Sequence, residues 1–194
     1  MLKELVQQFE NCLELPIEVE DIAAAIIRLG VADEIHFVPV AADPATIHGA
    51  FVRFRYHPVP YGDPVWVTHI PYNSADPLDL QRVVCCKEMM HIFDSDLERT
   101  DTRTEVPEFM DKLLGPLTTE DFGLADYMAS KDKLAVYMCL PLLFPKAALQ
   151  VAREAVKDRS RTPEEIAEWA KLPLRLVNLM IQEDWDTING LLHK

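Results

Sequence analysis

Apolar residues recur at helical spacing over residues 2–15 and 18–29, with Leu15-Pro16-Ile17 between the two runs. Ile22, Ala23, Ile26 and Ile27 give the second run one apolar face, and Gly30 stops it. The pattern then changes to short runs rich in Val, Ile, Phe, Tyr and Trp. These cover residues 34–41, 50–57 and 64–71, with turn residues between them at Asp43-Pro44 and Tyr61-Gly62-Asp63-Pro64. Together they predict a small antiparallel sheet. Helical spacing returns over 77–93, where Leu80, Val83, Val84, Met90 and Ile92 are apolar and Asp76 stands at the N-cap position.

An acidic passage follows Phe93, and the pattern then predicts helices over 107–114, 124–143 and 145–158, with a loop at Gly115-Pro116. The helix over 124–143 is strongly apolar in its second half, from Leu134 to Leu140, which makes it a core element despite Pro141. After a loop at 159–161, Thr162, Pro163, Glu164 and Glu165 form a helix start, with a capping hydroxyl, a proline in the first turn and acids at the positive dipole end. A turn at Leu172-Pro173 leads into a last helix over 174–182. The expected architecture is α+β. Residues 1–158 form helices around the sheet, and residues 159–194 form a helix-turn-helix-like segment packed on it.

Composition narrows the function classes. A chain of 194 residues that is 49% hydrophobic buries an ordinary core and needs no more than one compact domain with an appendage. Its formal charge of -13 opposes binding to nucleic acid or anionic lipid and favours a basic or neutral protein partner. Lys171, Arg175 and Asn178 would face a groove in a helix-turn-helix, but Glu164, Glu165, Glu168, Glu183, Asp184 and Asp186 surround them, so packing or protein contact is expected there. No window reaches the roughly 20 apolar residues that cross a bilayer, and the start of the chain is an amphipathic helix rather than a signal peptide, so a cytoplasmic protein is expected. Cys12, Cys85, Cys86 and Cys139 have no C-x-x-C or disulfide-framework spacing and are expected to be free, buried thiols.

Candidate chemistry lies in Cys85-Cys86-Lys87-Glu88-Met89-Met90-His91. This is the skeleton of H-E-x-x-H with lysine at the first histidine. In the intact motif, two histidines one turn apart bind zinc and the glutamate activates a metal-bound water. A protonated lysine brings positive charge and no lone pair. Glu88 is then a general base if the site is active, His91 a ligand, and Lys87 the replacement for the first ligand. Asp94, with Asp96 or Glu98 after it, offers a second, oxygen-rich option suited to hard cations, while Arg99 is a counter-charge for those acids. Of the histidines on or beside the strands, His36, His48, His57 and His69, one is able to complete a site near His91. His69 leads, because its strand runs into the motif helix.

The order of elements and several segments resemble the ImmA/IrrE family of metallopeptidases. The family's P-x-x-x-x-x-I-A entry is similar to residues 16–23, its strand before the active-site helix to residues 65–70, and its E-x-x-A-N-x-F-A-x-x-L-L-x-P segment to residues 131–145. The resemblance implies a zincin-like core, a zinc cofactor and peptidase activity. It also places the third ligand among Lys131, Asp132, Lys133 and Leu134, where only Asp132 is able to bind a metal. With two ligand positions altered, the first expectation is a degenerate, non-catalytic homologue, a pseudoenzyme without a metal. It would act by protein binding in regulation, in a phage, mobile-element or stress setting. The alternative is an active metal-dependent peptidase with an unusual site that uses Glu88 and His91, with zinc as its cofactor.

Overall fold

A computed structural model describes residues 1–43, 47–94 and 124–192, with side chains for all of these except 124–132 and 191–192. The chain is α+β, with eight helices and one three-stranded sheet among the described residues. Helix α1 (Leu2–Phe9) and α2 (Val19–Arg28) precede β1 (Asp33–Val40), β2 (Val52–Tyr56) and β3 (Val65–Asn73). Helix α3 (Leu78–Met90) runs into a 3₁₀ turn (His91–Phe93). Then come α4 (Leu124–Leu143), α5 (Lys146–Lys157), α6 (Pro163–Ala170), α7 (Leu174–Ile181) and α8 (Asp184–Leu192). The expected helix at 107–114, the loop at Gly115-Pro116, and Asp96, Glu98 and Arg99 lie outside the described residues.

The sheet is mixed rather than antiparallel. Its order is β1-β3-β2. β2 and β3 pair antiparallel, as a short hairpin requires, but β1 and β3 pair parallel, with Ile35 opposite Thr68 and Phe37 opposite Ile70. The chain leaves β1, passes the far end of β3 and descends on its other side, so β3 returns in the direction of β1. Asn73 secures this crossover. Its side-chain amide, buried at the end of β3, donates to Ala42 O at 3.1 Å and Ile47 O at 3.2 Å. At the other end Asp33 of β1 links all three strands, accepting from Thr68 Oγ1 of β3 at 2.7 Å and Arg53 Nη2 of β2 at 2.6 Å.

Two helix boundaries depart from the expected ones, and one helix was not expected. α1 ends at Phe9 rather than residue 15, because the Glu10 carbonyl accepts the Ala147 N–H at 2.9 Å and draws the chain toward α5, leaving Leu13 exposed. Asp76 does not cap α3; Pro77 holds the N-cap and the Asp76 carboxylate pairs with His48 instead. The unexpected α8 buries Trp185 beside Tyr137, with ring centroids 6.0 Å apart. The Thr162 cap forms as expected: its hydroxyl accepts from Glu165 N, and Glu165 Oε2 accepts from Thr162 N.

α3 packs against β3, α2 and α4, and every residue from Arg82 to Met90 is buried. Arg82 fastens it to the start of α2 through Glu18 Oε2 at 2.8 Å and Ile17 O at 2.5 Å. One continuous apolar cluster joins Leu5, Ile22, Ile70, Met89, Leu140, Phe144, Leu176 and Met180. No single described helix is long and apolar enough to cross a membrane; residues 133–143 and 146–157 pass that test only as a pair bent by 83°.

Candidate functional site

Helical geometry places Val84, Lys87, Glu88 and His91 on one face of α3. Two of these are charged groups in the interior: Lys87 is 7% and Glu88 4% exposed. Lys87 Nζ donates to Glu88 Oε1 at 2.9 Å. The other carboxylate oxygen, Oε2, stands 3.8 Å from His91 Nε2, which is too far for a hydrogen bond. On its far side His91 Nδ1 is 2.8 Å from Asp94 Oδ2, so Nδ1 carries the proton and Asp94 accepts it. The order in space is ammonium, carboxylate, imidazole, carboxylate. Glu88, rather than Lys87, occupies the middle. Lys87 and His91 also take part in contacts beyond these.

The chain entering β2 roofs this face. A Cβ on Gly49 would lie 2.3 Å from Val84 Cγ1 and 3.3 Å from Glu88 Cγ, so only glycine allows the backbone to come this close. Two residues on, the Phe51 ring lies 5.9 Å from the His91 ring. Beside Gly49, His48 Nδ1 is hydrogen-bonded to Asp76 Oδ2, both residues are buried, and His48 Nε2 has no hydrogen-bond partner among the described residues. This pair ties the β2 entry to the start of α3. His48 was among the four histidines named as able to complete a site near His91, but Gly49, Phe51 and the pairing of His48 with Asp76 were not singled out in the sequence as parts of this face. The one usable signal was an isolated glycine at the edge of a strand pattern, a mark of close backbone approach.

The remaining candidates disperse. Strand alternation turns Ile70 toward the core and His69 the other way, so His69 and its register partner His36 lie on the sheet face away from α3 and do not complete a site at His91. His57 is on the exposed hairpin, with Nδ1 at 2.9 Å from Gly62 O. The side chain of Asp132 lies outside the described residues. Cys85, Cys86 and Cys139 are buried and unbridged, whereas Cys12 is only half-buried. Burial, with lesser contributions from Glu20 and Glu88, pushes the Cys85 thiol up to about 12. Burial and the Cys139 thiol also raise Cys86 well above the usual range. Both stay protonated near neutrality and are poor metal ligands.

A zinc ion of the kind the resemblance implies does not fit these residues. The first ligand position holds an ammonium, the carboxylate that would serve the water is paired with that ammonium, and no three His, Cys, Asp or Glu side chains among the described residues are grouped to hold a metal. The protein is thus an α+β chain with a Lys-Glu-His-Asp array that starts with a buried ion pair on its central helix and continues through the partly exposed His91 and Asp94 just after it. Comparison with protein-family models, with curated proteins and with solved structures finds no match for the chain.

Proposed function

We propose that the chain is a non-catalytic, zincin-like relative of the ImmA/IrrE metallopeptidases that acts in the cytoplasm by binding another protein. Its setting is regulatory, of the phage, mobile-element or stress-response type. The observation that carries this proposal is the buried Lys87–Glu88 ion pair. A hydrolytic glutamate must accept a proton from water beside a cation that lowers the water's pKa. Here the cation is an ammonium fixed to that carboxylate. It holds the carboxylate's charge inside the protein and opposes entry of a dication. The net charge of -13 favours a basic or neutral partner surface over nucleic acid.

One observation favours the alternative, an active metal-dependent peptidase using Glu88 and His91. A histidine whose Nδ1 is held by a carboxylate presents Nε2 as metal-bound histidines do, and His91 is held this way by Asp94. Elemental analysis of the purified protein and its variants separates the two. The non-catalytic proposal expects no metal that disappears on His91→Ala, and gain of zinc at this face on Lys87→His. Stoichiometric zinc or manganese in the wild type that is lost on His91→Ala would establish the alternative.

A further inference from the structure

Between α1, the corner of α4 and α5, and α8 lies a groove of about 390 Å³, within the range of roughly 300–1,000 Å³ usual for small-molecule sites. None of the residues that line it belongs to α3. Val6, Pro141, Phe144, Leu149 and Trp185 give it an apolar floor, and the last three are buried. Two clamps hold its walls. The Ala147 N–H donates to Glu10 O at 2.9 Å, joining the end of α1 to α5, and Arg153 of α5 donates to Asp186 Oδ2 of α8 at 2.7 Å and to Gln182 O at 2.9 Å. We infer that this groove is a binding site for a free α-amino acid with an apolar side chain, such as phenylalanine or leucine.

The polar groups around the floor decide the ligand's chemistry. Lys3, Glu10 and Lys146 line the groove, and none of the three has an ion-pair partner among the described residues. Asp186 lines it too, but Arg153 already neutralises that carboxylate. Two ammonium groups therefore stand against one free carboxylate, a local excess of positive charge in a chain of net charge -13. On the α8 wall, Asn189 Oδ1 is buried and accepts no hydrogen bond among the described residues. A buried acceptor left unmet costs stability, and a donor brought by a ligand offsets that cost. A zwitterion answers all of these groups. Its carboxylate goes to Lys3 and Lys146, its ammonium to Glu10 and Asn189 Oδ1, and its side chain lies on Phe144, Leu149 and Trp185. A simple carboxylic acid leaves Glu10 and Asn189 unmet, and a simple amine leaves both lysines unmet and is repelled by them. The apolar floor gives a polar side chain no partner.

The test is titration of the full chain with L-phenylalanine, followed by calorimetry and tryptophan fluorescence, with 3-phenylpropionate and 2-phenylethylamine as the ligands that lack one charge each. L-Phenylalanine is expected to bind one equivalent with a dissociation constant below about 1 mM, and each single-charge ligand to bind about tenfold more weakly or worse. Asn189→Leu replaces the unmet acceptor by an apolar group, so it should weaken L-phenylalanine about tenfold while leaving the thermal midpoint unchanged or higher. A purely structural Asn189 would leave the affinity unmoved. Lys3→Gln combined with Lys146→Gln, both at exposed positions that leave the fold intact, should erase the preference for L-phenylalanine over 2-phenylethylamine. Binding no tighter than about 1 mM, equal binding of either single-charge ligand, or binding that the double lysine variant leaves unchanged overturns the inference. Because the groove shares no residue with α3, His91→Ala should not alter L-phenylalanine binding, and this inference fails or holds separately from the reading of the Lys87–Glu88–His91 face.

Discussion

Lys87 and Glu88 are adjacent in sequence and buried together, and each offsets the other's charge in the interior. Removing Lys87 alone leaves an uncompensated carboxylate in the interior, a loss of about 3–5 kcal/mol. Lys87→Met in urea denaturation should therefore be far more destabilising than Lys87→Met combined with Glu88→Leu, and the double-mutant cycle should show strong coupling. Equal losses in the single and double variants would mean that the pair contributes little. Cys85 makes a prediction of pH dependence. Its folded-state thiol, pushed up to about 12, lies above the ordinary thiol value of 9.0, so the unfolded chain binds fewer protons between those limits. Stability is full below about pH 9 and falls as pH rises toward 12, by at most ~1.4 kcal/mol per pH unit for this thiol. The gap between denaturation midpoints at about pH 8 and pH 10.5 should be smaller for Cys85→Ala than for the wild type, with Cys86 carrying part of what remains. The Lys87–Glu88–His91 line-up was legible in the sequence from helical spacing alone. That Glu88 lies between the other two was not, because side-chain reach, not spacing, decides it.

Gly49 shows the same division among the elements. The chain at the entry to β2 closes on α3 only because that residue has no side chain. Gly49→Ala should cost about 1–3 kcal/mol by overpacking against Val84, and Val84→Ala in the same chain should recover part of the loss. No recovery would place the strain elsewhere. Long periodic runs gave the helices at 18–29, 77–93 and 124–143 almost to their ends, and the Thr162 cap was readable from local chemistry. The parallel pairing of β1 with β3 was not readable. It depends on a crossover held by Asn73, a long-range contact with no periodic signal. Likewise α8 follows α7 after a short break and was hidden by its acidic start, although Trp185 is among the most buried side chains.

At the scale of the molecule, one apolar cluster extends from α1 to α8 and surrounds a central helix that carries a buried Lys87–Glu88 ion pair. An active hydrolase keeps such a carboxylate available at an open site. Binding of a neutral or basic partner requires only a stable scaffold and an acidic surface, and the charge of -13 supplies the latter. The central claim is that the Lys87 ammonium, paired with Glu88, supplies the positive charge that a metal would bring to this face. The most direct test is the zinc stoichiometry of the purified chain and its variants. The wild-type chain should hold no zinc that depends on His91, and Lys87→His should create a site that His91→Ala removes. One zinc per chain bound before Lys87 is changed, and lost on His91→Ala, would contradict the claim.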